Sequence, residues 1–369
     1  MVTKRKLKKL ILLLIINLII WMLLGSWIGL RGKQNNDETA VQKLSEKVYK
    51  QKQLKVIPQM NPLMPDLEET AAKKSSNSKE NQKTDVISVK WLTKMEERME
   101  QRRNTIAGVC ASKDLSQGLK EIIWHKKKRL WFMIVSDTYR LMYAYVSKVG
   151  STNWKSAFLV LKGKYAKVED VPGKKAHDPS LRKLSQYSPL EIEFRLRNYT
   201  KFLFVRHPFA RVLSAYRSKL ERKTGSFRKS YGKVIMERFH PEAMPKQIKS
   251  GSNVSFNDFV KYLSDRRTKR FDGHWQVISN IVFPCDIQYD YIGKLESSHD
   301  DSEYILKKAK VDHLIHFKTT SVDSLKSHES SVFKQYYQNI SEIEREKLYK
   351  VYENDFQLFG YDRDDLQEY

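Results

Sequence analysis

Two short polar segments, each beside an apolar run, carry the residue types that bind phosphate. Residues 147–153 read Ser-Lys-Val-Gly-Ser-Thr-Asn and follow the apolar run 141–146. Gly150 permits a tight turn, and the residues after it are good helix N-caps. Because N–H groups at a helix start attract anions, the segment predicts a phosphate site with Lys148 as its charge. Taken alone, it also fits an ordinary junction between a strand and a helix, and the glycine spacing of a nucleotide P-loop is absent.

The second segment, residues 201–220, places Arg206 at the end of an apolar run. Phe202–Val205 predicts a buried strand, and Pro208 suits the first turn of a helix. That helix has an apolar stripe predicted to face the core, formed by Phe209, Val212, Leu213, Tyr216 and Leu220. Arg206 and Ser214 could then close on one phosphate, since a guanidinium offers paired hydrogen bonds. Taken alone, Arg206 fits a surface charge at the end of a strand better.

Together the two segments resemble the elements with which sulfotransferases bind 3′-phosphoadenylyl sulfate (PAPS). The resemblance implies a 5′-phosphosulfate loop at 147–153 and a 3′-phosphate element at 206–214. More closely, the chain is similar to the Golgi carbohydrate sulfotransferases, the family of chondroitin and dermatan 4-O-sulfotransferases and the glucuronyl 3-O-sulfotransferase. Further similar stretches extend the resemblance over nearly all of residues 106–362. The implied cofactor-binding residues are Ser147, Lys148, Val149, Gly150, Ser151, Thr152, Asn153, Arg206, His207, Pro208, Phe209, Ala210, Arg211, Val212, Leu213 and Ser214.

Some positions depart from the family's usual motifs. Ser151 stands where the family's first motif has Cys. Val282-Phe283 stands where the family has a Cys before the pair Pro284-Cys285, so one family disulfide is expected to be absent. The chain's two cysteines, Cys110 and Cys285, match family positions, and the resemblance implies that they pair; the residues alone fit two free thiols nearly as well. His207 replaces an acid, which predicts a more positive 3′-phosphate site.

The resemblance implies in-line transfer of a sulfonate group from PAPS, as co-substrate, to a sugar hydroxyl. Lys148 is the expected catalytic residue that stabilises charge growing on the bridging oxygen. His177 is the first candidate for general base, because histidine accepts a proton near pH 7 and this one lies between the two PAPS elements. His274 and an acidic residue remain alternatives, while His207 is discounted. No metal is expected, since the sequence has no clustered ligand spacing.

Apolar runs alternate with helical patterns from about residue 110, which predicts an α/β domain. The expected fold is the PAPS-dependent sulfotransferase fold, with a central parallel sheet flanked by helices. The chain is predicted to have a cytosolic tail (1–9), a transmembrane signal anchor (10–30), a disordered stem (31–105) and a lumenal sulfotransferase domain (106–369). The charged helical pattern at 86–104 is either the end of the stem or the first helix of the domain.

Residues 10–30 are almost wholly apolar, carry no charge and are long enough to span a bilayer. Five basic residues precede them, so the positive-inside rule predicts a single-pass type II protein of the Golgi membrane with a lumenal domain. A cleavable signal peptide is the alternative, although its apolar region is usually shorter. The sequons at Asn198, Asn253 and Asn339 fit a lumenal location.

The formal net charge of +25 predicts a polyanionic partner. Basic clusters at 126–129, 222–223, 228–229 and 266–270 would either grip an acidic glycosaminoglycan or glycoprotein glycan, or form solvated loops. Resemblance favours O-4 of N-acetylgalactosamine in chondroitin or dermatan as acceptor. The alternatives are terminal N-acetylgalactosamine or glucuronate on glycoproteins, and a catalytically silent glycan-binding homologue. No nucleic-acid partner is expected in the lumen.

Overall fold

The computed structural model describes residues 78–222, 225–269, 271–317 and 330–363. These residues belong to one of the chain's two compact units, residues 77–369. The predicted tail (1–9), anchor (10–30) and stem residues 31–77 lie outside the described residues. Among the helices of the described ranges, none combines the length and the apolar character needed to cross a membrane.

Helices predominate, around one small sheet. The strands are β1 (Met133–Ser136), β2 (Leu141–Ala144), β3 (Thr200–Val205) and β4 (Tyr291–Lys294). The helices are α1 (Ser78–Lys113), α2 (Leu119–Trp124), α3 (Ser151–Leu161), α4 (Pro189–Asn198), α5 (Pro208–Tyr216), α6 (Lys233–Phe239), α7 (Pro245–Ser250), α8 (Phe256–Ser264), α9 (Ser279–Val282), α10 (Ser298–Lys308), α11 (Ser330–Tyr337) and α12 (Glu342–Leu358). Short 3₁₀ turns occur at Lys127–Phe132, Val168–Asp170, Gly173–His177, Leu184–Gln186 and Leu295–Ser297, and π turns at Arg217–Glu221 and Arg228–Gly232.

The sheet is mixed, so the predicted all-parallel sheet is wrong in one strand. Its order is β1-β2-β3-β4; β2, β3 and β4 run parallel, whereas β1 is antiparallel to β2. The reason is the short connection 137–140, in which Arg140 N–H bonds to the Asp137 oxygen (3.4 Å). So tight a turn can join only antiparallel strands, while the parallel pairs are joined by helical crossovers.

The two central strands are buried on both faces, as their continuous apolar runs predict. Tyr143 of β2 stacks on Phe202 of β3, with ring centroids 5.0 Å apart, and Trp154 of α3 covers Phe202 at 4.6 Å. Gly293 of β4 is required beside them, because a Cβ there would overlap the ring of Phe204. This packing holds the carboxyl ends of β2, β3 and β4 at one edge of the sheet.

Helix α1 packs on β4 and α10, so packing begins inside the segment assigned to the stem. Met95 and Met99 are buried beside Tyr304. Arg102 Nη1 bonds to the Ile292 oxygen (2.7 Å) and to Asp301 Oδ2 (2.8 Å). Residues 78–105 are therefore helical rather than disordered, and the pattern at 86–104 belongs to the domain's first helix. The end of α1 is tied to the body by a Cys110–Cys285 disulfide, which confirms that pairing.

Helix α5 lies at the centre of a second apolar cluster, with α8 and α12. The predicted stripe is confirmed, because Phe209, Val212, Leu213 and Tyr216 of α5 and Leu220 of the π turn that follows it are all buried. Arg211 and Ser214, which lie off that stripe, are buried as well, each with 1% exposed area. Helix α5 therefore carries two polar side chains into the interior.

Candidate active site

The loop after β2 has an unusual backbone that sets its shape. Lys148 has φ 73° and Gly150 has φ 78°, both left-handed. For a lysine this conformation costs on the order of 1–3 kcal/mol, and such strain clusters at functional sites. Gly150, and not Ser151, Thr152 or Asn153, is the N-cap of α3. Those three residues instead form the first turn of the helix. The Asn153 N–H donates to the Gly150 oxygen (3.2 Å), whereas the N–H groups of Ser151 and Thr152 have no intrahelical partner.

Arg206, at the end of β3, brings the two predicted phosphate elements together. Its side chain is 2% exposed, and its Nη1 donates to the backbone oxygen of Lys148 at 3.4 Å. β2 and β3 are parallel neighbours, so both elements leave the same edge of the sheet. The predicted pairing of 147–153 with 206–214 is thus a feature of the fold.

Ser214 provides a hydroxyl that lacks a partner. Its Oγ is buried and makes no hydrogen bond within the described residues. A buried hydroxyl left in this state costs about 1–3 kcal/mol. An acceptor oxygen from a ligand would satisfy it, so a phosphate-bearing ligand fits the residues at this point.

Arg211 has a structural task that its place in the motif did not reveal. Its Nε donates to the Ser147 oxygen (3.0 Å), its Nη1 to the Gln276 oxygen (2.7 Å) and its Nη2 to the Gly273 oxygen (3.2 Å). One guanidinium therefore fastens the loop of Lys148 to segment 273–276, which contains His274. We call this group the Arg211 clamp.

His207 is the N-cap of α5 and does not add a positive charge. It is fully buried; its Nδ1 accepts from Ala210 N–H (3.5 Å), and its Nε2 lies 3.1 Å from the Asp362 oxygen. Burial, with the charge of Arg206 acting in the same direction, lowers the pKa of His207 to about 4. The prediction of a more positive 3′-phosphate site therefore rests on the absence of the family's acid at this position, and not on a positive charge of His207 itself.

His177 lies in the 3₁₀ turn that packs on α3, beside a buried lysine. Its Nδ1 is 3.5 Å from Nζ of Lys155, and Lys155 is only 6% exposed. Desolvation, and next the charges of Lys155 and Lys183, lower the pKa of His177. A lysine ammonium can only donate, so while Lys155 is charged, Nδ1 is the acceptor and Nε2 carries the hydrogen.

His274 has a different arrangement, with a carboxylate as orienting partner. Its Nδ1 is 2.5 Å from Oδ1 of Asp272, which also accepts from its backbone N–H at 2.9 Å. Burial raises the pKa of Asp272, but the hydrogen bonds from His274 outweigh it and the net pKa is lowered. With Nδ1–H donated to the carboxylate, Nε2 is left as a proton acceptor. Sequence reasoning left His274 as an alternative base and did not identify Asp272 as its partner.

Two cavities adjoin the loop of Lys148. One, of about 340 Å³, lies at the carboxyl ends of the parallel strands; its lining includes Val149, Gly150, Asn153, Trp154, Phe204 and His299. The other, of about 260 Å³, is lined by Arg129, Trp131, Tyr145, Ser147, Phe271, Gly273, Gln276, Asn280 and Ile281. Across the described ranges, no three His, Cys, Asp or Glu side chains are grouped to hold a metal ion.

The other predicted site residues support the site from the core. Val149, Phe209, Ala210, Val212 and Leu213 are buried apolar residues, and Pro208 is the first residue of α5. Of the basic clusters, 126–129 reaches a cavity through Arg129, whereas Lys223 and Arg270 lie outside the described residues.

Sequence reasoning missed Tyr145, Lys155, Lys183 and Asp272 as site residues. Lys155 lies two residues after the first phosphate segment, and Asp272 stands two residues before His274, so both had a nearby signal. Lys183 had none, since only the fold brings its 3₁₀ turn beside β1.

Comparison with known proteins gives one consistent result. Residues 131–362 match the sequence model described as "Sulfotransferase family". Carbohydrate sulfotransferase 11 of Rattus norvegicus is 37% identical over 267 residues, covering 70% of this chain and 75% of the relative. Carbohydrate sulfotransferase 14 of Danio rerio is 35% identical over 261 residues (70% of each chain), and carbohydrate sulfotransferase 8 of Mus musculus is 31% identical over 285 residues (74% and 66%). No solved structure matches the chain.

Proposed function

The chain belongs to the sulfotransferase family and is a sulfotransferase, and from this premise we propose that its donor is PAPS and its acceptor a hydroxyl of an acidic glycan. The observation that carries the donor assignment is the contact between Arg206 and Lys148 (3.4 Å), with the unsatisfied Ser214 hydroxyl on the helix that follows. PAPS presents a 3′-phosphate and a 5′-phosphosulfate, two anions that suit these two neighbouring elements.

Each chain residue in the donor site has a distinct task in this proposal. Arg206 and Ser214 bind the 3′-phosphate through charge-assisted hydrogen bonds. The first-turn N–H groups of Ser151 and Thr152 and the ammonium of Lys148 face the phosphosulfate. Lys148 stabilises the negative charge that develops on the leaving oxygen, which is typically worth about 3–4 kcal/mol. The cavity of about 340 Å³ beside Gly150 and Trp154 is the proposed place for the nucleoside.

We assign the general base to His274, which Asp272 orients. The Arg211 clamp holds the neighbouring Gly273 and the Lys148 loop together, so His274 Nε2 is placed to take the proton of the attacking hydroxyl. Sequence reasoning ranked His177 first, but Lys155 faces its Nδ1. We therefore give His177 the role of a donor that orients the acceptor through Nε2–H.

For the acceptor, the resemblance of residues 201–217 and 336–341 to chondroitin and dermatan 4-O-sulfotransferases supports O-4 of N-acetylgalactosamine. Arg129 lines the cavity beside Ser147 and brings a positive charge there, which suits an acidic chain. Arg129 also covers the ring of Phe283 at 4.3 Å.

We also propose a Golgi membrane location with a lumenal sulfotransferase domain. The support is the apolar segment 10–30 with its basic flank, and the exposure of all three sequon asparagines, Asn198, Asn253 and Asn339. Protease should remove only a short tail from intact vesicles, and glycosidase should increase the gel mobility of the chain. A cytosolic C-terminus without glycans would overturn this location.

The deciding experiment is incubation of the chain with labelled PAPS and a panel of desulfated glycosaminoglycans, followed by disaccharide analysis. We expect label at O-4 of N-acetylgalactosamine in chondroitin or dermatan. Label on another glycan would correct the acceptor, whereas no transfer from PAPS to any sugar would overturn the function.

A further inference from the structure

Two lysines from different elements converge on the ring of Tyr145. Nζ of Lys155, the fifth residue of α3, is 3.7 Å from the ring centroid, and Nζ of Lys183 is 4.8 Å away. Lys155 is buried and Lys183 is half-buried. No carboxylate of the described residues lies within 4.0 Å of either ammonium. We call this group the Tyr145 lysine pair.

Two positive charges that are shielded from water and have no carboxylate beside them favour the binding of an anion. A contact with an aromatic face is worth about 0.5–2 kcal/mol, whereas desolvating an ion costs several kcal/mol. Burial, and for Lys155 also the charge of Lys183, lowers the pKa of both lysines to about 8. They are still mostly charged at pH 7, so a ligand anion would satisfy them both.

The ring that both lysines contact lies beside the second cavity, which the donor assignment leaves free. Tyr145 lines the cavity of about 260 Å³ together with Ser147, the residue before Lys148. Trp131 lines the same cavity, is 51% exposed, and meets Tyr145 edge to face at 5.4 Å. Half-exposed aromatic rings beside a cavity offer an apolar surface to a sugar ring.

We propose that Lys155 and Lys183 bind a carboxylate of the acceptor glycan while Trp131 and Tyr145 hold its sugar ring beside Lys148. This inference rests on the proposed function and adds the part of the acceptor that is recognised. The anions of the donor are assigned to Lys148, Arg206, Ser214 and the start of α3, so the lysine pair is left for the acceptor. An uncharged sugar polymer would leave both ammonium groups without a counter-charge.

The test uses the full chain with two acceptors, desulfated chondroitin and its carboxyl-reduced derivative. Lys183→Met and Lys155→Met should each raise the KM for desulfated chondroitin about tenfold to hundredfold, the value of a charged hydrogen bond, while the KM for PAPS stays unchanged. On the carboxyl-reduced acceptor, the variants should match the unmodified chain. Lys249→Met, which removes an exposed lysine of helix α7, should behave as the unmodified chain on both acceptors.

Titration of each acceptor into the chain without PAPS provides a second readout. Weaker binding of desulfated chondroitin by the two variants, and equal binding of the reduced polymer, supports the inference even if no transfer occurs and the proposed function fails. Equal losses on both acceptors, or unchanged KM and affinity, would overturn it. A rise in the KM for PAPS would overturn it too, by assigning the pair to the donor. Because Lys183 is only half-buried, Lys183→Met should fold and give a result even if Lys155→Met does not fold.

Discussion

The Nε of Arg211 donates a 3.0 Å hydrogen bond to the backbone oxygen of Ser147, and this bond fixes the loop that carries Lys148. The same guanidinium reaches the oxygens of Gly273 and Gln276. A lysine could not make this set of bonds, because only arginine presents a rigid planar fork of donors. Arg211 thus positions the donor loop and the His274 segment without touching substrate in our assignment.

Arg211→Lys should therefore separate those two segments. Carbonyls left without a donor cost about 1–3 kcal/mol each, so the free energy of unfolding should fall by about 2–4 kcal/mol. Misplacement of reacting groups should lower kcat by about 10²-fold. Urea unfolding and steady-state kinetics measure both effects. Arg267→Lys is the control, since Arg267 makes an exposed ion pair with Asp265; equal behaviour of the two variants would contradict the clamp.

Lys148→Ala should remove turnover while leaving the nucleotide site in place. Losing one preorganised group at the developing charge costs about 10²–10³-fold in kcat. Binding of adenosine 3′,5′-bisphosphate should remain measurable by calorimetry, because Arg206 and Ser214 are intact. The exposed Lys167 gives a matched charge control, Lys167→Ala. Near-normal kcat in Lys148→Ala would mean that the loop has been misassigned.

Ser214→Ala tests whether the unsatisfied hydroxyl belongs to a 3′-phosphate. A hydrogen bond to a charged group is worth about 1.5–3 kcal/mol, so affinity for adenosine 3′,5′-bisphosphate should fall at least about tenfold. Affinity for adenosine 5′-phosphate, which lacks the 3′-phosphate, should be unchanged. The ligand-free variant should be no less stable, since the alanine removes a buried polar group without breaking a bond. Equal losses for the two nucleotides would contradict the assignment.

The parts of this site that sequence could predict are those governed by local periodicity. The buried strand before Arg206, the proline that starts α5 and the apolar stripe on that helix follow from spacing alone. Gly150 was expected to allow a turn, and its φ of 78° agrees. That Gly150 is the N-cap was not predicted, because the three residues after it are better capping residues. The backbone conformation of the loop decides where the helix begins.

Contacts between distant segments could not be predicted from spacing. Arg211 looked like one more basic residue of a motif, and its burial appears only when segment 273–276 folds over it. Lys155 and Lys183 are 28 positions apart in the sequence and meet because a 3₁₀ turn pairs beside β1. The antiparallel β1 was not predicted because four residues are too few for a clear strand pattern, although the polar residues 137–140 mark a turn.

His207 should make the stability of the chain sensitive to acid. Its folded pKa of about 4 lies below the usual value of 6.5, so between these values only the unfolded chain binds the proton. The contribution is complete above pH 6.5 and is lost as the pH falls towards 4, which amounts to roughly 3 kcal/mol. Urea unfolding from pH 7 to 4.5 should show a smaller loss in His207→Asn than in the unmodified chain. His313→Asn, at an exposed site, should retain the full loss, and a parallel curve for His207→Asn would contradict the prediction.

The identity of the base is decided by comparing two histidines in one assay. His274→Ala should lower kcat at least about 10²-fold, the usual value of general-base catalysis, with unchanged affinity for adenosine 3′,5′-bisphosphate. Asp272→Asn should also lower kcat, because the amide no longer holds the Nδ1–H tautomer that leaves Nε2 free. His177→Ala should cost less, about tenfold, since its Nδ1 faces Lys155 and it only orients the acceptor. The opposite order, with His177→Ala the more damaging change, would return the role of base to His177.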